Sequence, residues 1–92
     1  NKQVMTSSQV LADITQVQTN FYDGYSSQIP IDYTIGKIIS ITVDGQEKSV
    51  STKDEELIGL TADFYYKTGN NYVEINTYIA PGSEIIINYL IY

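Results

Sequence analysis

From Phe21 onward the chain alternates apolar and polar positions with a period of two, the pattern of strands that bury one face. Tyr25, Ser27, Ile29, Ile31 and Tyr33 alternate with Ser26, Gln28, Pro30 and Asp32. Pro30 has no N–H to give to a ladder, so this strand belongs at a sheet edge. The stretch Lys37 to Val43 follows, with Ile39, Ile41 and Val43 facing one way. Asp44-Gly45 comes next, a pair that accepts positive φ at both central positions of a type I′ hairpin turn. The return strand runs from Gln46 to Ser51, with Val50 inward.

Ser51 to Thr61 is a polar, acidic connection. A second hairpin follows, with Asp63 to Lys67 as one strand, Thr68-Gly69-Asn70-Asn71 as the turn and Tyr72 to Asn76 as the partner. Pro81-Gly82 marks another tight turn. In the closing run, Ile85, Ile87, Tyr89 and Ile91 share one face, and Ile86 and Leu90 share the other. A strand apolar on both faces sits centrally in a sheet or against a partner.

Residues 1–20 are different: they contain no Gly, Pro or aromatic residue. Val10, Leu11, Ile14 and Val17 make one apolar helical stripe that Ser7 or Ser8 would cap. The β-branched Thr15, Val17 and Thr19 favour an extended arm instead. The expectation is therefore an all-β fold: a small antiparallel β-sandwich, Ig-like or a related Greek key, over 21–92, led by a short helix or an extended arm over 1–20. At 92 residues there is room for one domain. The chain opens at Asn1 with Met5 inside it, so it reads as a segment of a longer protein.

Composition narrows the chemistry by what is missing. There is no Cys and no His, so no disulfide, thiolate nucleophile, Cys zinc site or Ser-His-Asp triad can be built within this chain. Eleven Asp+Glu against five Lys+Arg give a net charge of −6, which sets the chain against phosphate and disfavours nucleic acid as a partner. No apolar run nears the ~18 residues of a membrane span. No cofactor is expected. Nine Tyr and two Phe suit both sheet packing and ligand contact.

Four groups of residues carry candidate chemistry. The acidic run Asp54-Glu55-Glu56 with Asp63 could offer oxygens to Ca²⁺, but it lacks EF-hand spacing and reads as a solvated loop. Tyr22, Asp23 and Tyr25 at the opening turn, and Asn70, Asn71 and Tyr72 at the second hairpin, combine aromatic faces with groups that read sugar hydroxyls; cross-strand packing is the competing role. Carboxylate pairs such as Asp23/Glu74 or Asp63/Glu84 would need to face each other across a cleft that a sandwich this small scarcely has room for, so no enzyme is expected. Ile86, Leu90 and Tyr92 would be left on an outer face, covered by the first twenty residues or by another subunit.

The order of these signals resembles a β-sandwich module of tail, baseplate and fibre proteins of tailed bacteriophages. The residues that carry the likeness are Phe21-Tyr22-Asp23-Gly24 before Ser27-Gln28-Ile29-Pro30-Ile31, then Ile39-Ser40-Ile41-Thr42-Val43-Asp44-Gly45-Gln46. Asp63-Phe64-Tyr65-Tyr66 with Tyr72-Val73-Glu74-Ile75 follow, and Pro81-Gly82-Ser83-Glu84-Ile85-Ile86-Ile87-Asn88-Tyr89 closes the pattern. The resemblance covers about Phe21 to Tyr92. It implies a non-enzymatic structural module of a virion, contacting other domains or subunits of the assembly, with attachment to host cell-surface polysaccharide as a second role. The alternative expectation is a carbohydrate-binding or adhesin module of a bacterial extracellular or surface protein.

Overall fold

The computed structural model describes residues 15–53 and 61–92. Among them the structure is all-β, with two four-stranded sheets packed as a sandwich and no α-helix. The strands are β1 (Thr15–Phe21), β2 (Gln28–Pro30), β3 (Ile35–Val43), β4 (Gln46–Lys48), β5 (Val50–Thr52), β6 (Phe64–Tyr66), β7 (Tyr72–Ile75) and β8 (Glu84–Ile91). The first sheet has the order β1-β8-β3-β4 and the second β2-β7-β6-β5. The ladders are antiparallel except that between β5 and β6, which is parallel and departs from the purely antiparallel expectation.

Both hairpins form. Asp44 has φ 52° and Gly45 φ 84°, the doubly positive backbone that a type I′ turn requires. The Asp44 carboxylate accepts the Glu84 N–H at 2.9 Å, and Asp44 N–H donates to the Glu84 carbonyl at 2.8 Å, so the turn is tied to the start of β8. β6 and β7 pair with Phe64 opposite Ile75 and Tyr66 opposite Val73. β8 lies between β1 and β3, the central place its two apolar faces imply. β2 is an edge strand, as Pro30 requires.

Three further expectations change. Ile39 does not face inward with Ile41 and Val43: it is 51% exposed, and Ile38 is buried in its place. The ladder with β8 shifts register between Ile35 and Lys37 and again between Ile38 and Ser40, so Gly36 and Ile39 are extra residues in β-bulges. A simple period of two cannot run through them. The return strand expected over Gln46–Ser51 divides at Ser49: β4 continues the first sheet and β5 begins the second. Thr15 to Asn20, expected to lie in a lead-in, are part of β1 and pair residue for residue with β8 from Thr15–Leu90 to Phe21–Glu84. Of the stripe Val10, Leu11, Ile14 and Val17, only Val17 lies among the described residues, and it is in this strand.

The core is the space between the sheets. Ile35, Ile38, Ile41, Val43, Ile85, Ile87 and Tyr89 come from the first sheet; Ile29, Phe64, Tyr66 and Val73 come from the second. Ile31 and Ile79 enter from connections. On one side of the sandwich the chain itself crosses between sheets, from β4 to β5. On the other side the chain crosses from β1 to β2, and a side chain ties the same two edges together. Gln18 of β1, 9% exposed, donates from Nε2 to the Pro30 carbonyl at 2.9 Å and accepts the Asp32 N–H on Oε1 at 2.9 Å. Its Nε2 also donates to Asn20 Oδ1 at 2.6 Å. A primary amide has a donor and an acceptor at one end, so it can satisfy both backbone groups that flank Ile31.

Candidate protein-interaction surface

The register of the first sheet fixes which side chains share its outer face. Phe21 lies opposite Glu84; Thr19, Ile86 and Thr42 form one row; Val17, Asn88 and Ser40 form the next; Thr15, Leu90 and Lys37 form another. Asn88 Nδ2 donates to Ser40 Oγ at 3.1 Å within its row. Val17 is 61% and Phe21 69% exposed, and the bulged Ile39 is exposed on β3, across β8 from them. Ile86 and Leu90 are half-buried, and Tyr92 is exposed just past β8. The expected group of Ile86, Leu90 and Tyr92 is therefore part of a larger apolar face to which Val17, Phe21 and Ile39 belong. β1 lies along the edge of β8 and does not cover this face.

Sequence reasoning missed Val17, Phe21 and Ile39 for identifiable reasons. Val17 reads both as part of a helical stripe and as a β-branched residue of an extended arm, Phe21 as the start of a turn, and Ile39 as an inward residue on a strand whose bulge the pattern does not reveal. The alternation Thr15-Val17-Thr19-Phe21 was the signal for β1.

The two tyrosine–amide clusters are not brought together. Ser27 of the β1–β2 connection accepts the Ile75 N–H, whereas Asn71 accepts the Ile31 N–H and Asn70 the Ile35 N–H. The clusters thus lie at opposite ends of the β2–β7 ladder. Tyr22 is half-buried, packs against the core and donates its hydroxyl to the Ser26 carbonyl at 2.7 Å, so its role is packing. Asp23 holds the turn: Oδ1 accepts the Tyr25 and Ser26 N–H groups at 2.8 and 2.9 Å, and Oδ2 accepts the Ser26 hydroxyl at 2.6 Å. Those bonds, the Ser26 hydroxyl foremost, lower its pKa to about 2. Tyr25 is 91% exposed and stands apart from Tyr22 in this respect.

Asn71 and Tyr72 do line an open groove of about 470 Å³, together with Ser26 and Ser27 of the β1–β2 connection and Gln28 of β2. Asn70 and Tyr72 also border a second depression of about 210 Å³, where Lys53 Nζ pairs with Glu74 at 2.8 Å. The Glu74 carboxylate raises the Lys53 pKa.

Three of the four carboxylates paired on the sequence, Asp23, Glu74 and Asp63, have other partners. Asp23 is engaged in its turn and Glu74 with Lys53. Asp63 accepts the Ser49 N–H at 3.2 Å before β6, while Glu84 begins β8 in the other sheet. Asp54, Glu55 and Glu56 lie outside the described residues, and among those described no group of three or more acidic side chains is placed to hold a metal ion. No family model matches the chain, and the searches of curated proteins and of solved structures find no match to it either.

Proposed function

We propose that this chain is a non-catalytic assembly module whose first sheet docks on neighbouring domains or subunits, and that its setting is a phage virion, in a tail, baseplate or fibre protein. The observation that supports the docking role is the outer face of the first sheet, where Val17, Phe21 and Ile39 stand exposed beside the half-buried Ile86 and Leu90. Lys37, Glu47 and Glu84 lie around those apolar positions, and the Asn88–Ser40 pair sits among them, an arrangement suited to a mixed interface with a polar rim. The virion setting rests on the strand–turn order alone. The test is to introduce F21K together with I86K in the parent polypeptide. Particle incorporation should be lost while the melting temperature of the module stays near that of the wild type. Particles that assemble normally with both lysines would remove the docking face from consideration.

A second reading, glycan attachment, is favoured by the groove beside Tyr72. The Ser27 hydroxyl, amides from Gln28 and Asn71, and one aromatic ring give the donor and acceptor mixture that sugar hydroxyls need. Y72A should then abolish binding to a host-wall polysaccharide in a glycan array. Unchanged binding, or none by the wild type, counts against it.

A further inference from the structure

Three of the four sheet edges among the described residues are protected against pairing. β2 is three residues long and carries Pro30. β4 is three residues long and carries Glu47 and Lys48. β5 is three residues long and runs directly into Lys53. The fourth edge, β1, is different: it has seven residues, Thr-Gln-Val-Gln-Thr-Asn-Phe, with no charge, no Pro and no Gly. It follows β8 without a register shift, so no bulge turns it away. In a chain of net charge −6, this neutral edge is where a second strand approaches against the least repulsion.

We infer that β1 pairs antiparallel with β1 of a second copy of this chain. A pairing that sets outward side chains against outward ones must centre on a residue and not between two, since a one-residue slip exchanges the faces. Among such registers only the one centred on Gln18 pairs all seven residues of β1. It sets Val17 against Thr19 of the second copy and Thr15 against Phe21 of the second copy, pairs of β-branched and aromatic side chains that suit a sheet. The self-complementary strand gives an isologous, closed contact. The two four-stranded sheets become one of eight strands, and the two apolar outer faces become continuous. The inference concerns the edge of β1 and stands whether or not the face serves in a virion. Because the contact is a strand edge, it is a weak association that needs high protein concentration.

The experiment is sedimentation equilibrium on the full chain, alone and as charge-bearing variants at two exposed positions. The wild type should show a monomer–dimer equilibrium. V17K/T19K and V17E/T19E each place like charges opposite one another twice, and each should weaken the dimer by at least about tenfold. An equimolar mixture of the two should form a heterodimer, because the proposed register sets Lys against Glu at both places. A wild type that stays monomeric at about 1 mM overturns the inference. So do dimers that persist in both variants, or a mixture in which no heterodimer forms.

Discussion

Replacing Gln18 tests whether one amide ties the β1 edge of the first sheet to the backbone around Ile31. Its side chain makes bonds to Pro30, Asp32 and Asn20, and the Tyr89 hydroxyl lies 3.4 Å from its Oε1. Q18A leaves the Pro30 carbonyl and the Asp32 N–H without those partners. Each group left unsatisfied in a fully buried setting costs about 1–3 kcal/mol. Pro30 and Asp32 are exposed residues that water can reach, so the low end applies, and the two groups together cost about 2 kcal/mol. For a domain of this size that is a fall in melting temperature of about 8–16 °C. With a urea dependence of about 1 kcal/mol/M, the midpoint should fall by about 2 M. Tyrosine fluorescence and circular dichroism at low concentration read the transition without interference from association. Q18M, which keeps the bulk and loses the bonds, should lose nearly as much as Q18A. Q18E keeps an acceptor for Asp32 but sets a carboxylate against the Pro30 carbonyl. Its folded-state pKa should therefore lie above the unfolded value, so relative to Q18M it should be more stable at pH 4 and lose that advantage as pH rises. A Q18A variant within about 0.5 kcal/mol of the wild type would refute the cross-link, because that is the scatter expected of an ordinary surface substitution.

Asp23 should titrate near pH 2 in carboxyl-detected NMR, and Ser26→Ala should raise that value because the Ser26 hydroxyl is its strongest partner. The folded pKa is depressed below the ordinary 3.8, so the turn's contribution is present above about pH 4 and is lost as pH falls toward 2. An Asp23 that titrates at the ordinary value would show that the turn is not held this way. Two glycines should fail for opposite reasons. Gly45→Ala meets no atom within 4 Å but must hold φ at +84°, a backbone cost of about 1 kcal/mol. Gly36→Ala would bring its Cβ to 3.0 Å from the Ile91 carbonyl oxygen and 3.1 Å from that of Leu90, in the central strand, an overpacking cost of about 1–3 kcal/mol. Chemical denaturation of both reads the difference, and a neutral Gly36→Ala would argue against the close approach of β3 to β8.

The strands that can be read from the sequence are those whose neighbours in sequence are also neighbours in space. Asp44-Gly45 and Thr68 to Asn71 each join two strands that pair with one another, so turn chemistry and alternation together specify a hairpin. Ile85 to Ile91 declares its central place because both of its faces are apolar. Pro30 declares an edge because it lacks a donor. Local pattern does not carry what depends on distant backbone. The bulges at Gly36 and Ile39 exist to fit β3 to β8, roughly fifty residues further on, and they alone decide that Ile38 is buried and Ile39 is not. The change of sheet at Ser49 leaves no mark on a polar stretch that reads as one strand. Gln18 looks like any polar residue on a polar strand until the fold sets the backbone of Pro30 and Asp32 against it. The same holds for the candidate surface. Ile86 and Leu90 could be named from alternation, because a side chain opposite a buried one must point outward. That Val17 and Phe21 join them follows only from the β1–β8 register, since it is long-range pairing, not local periodicity, that makes separate exposed residues into one face.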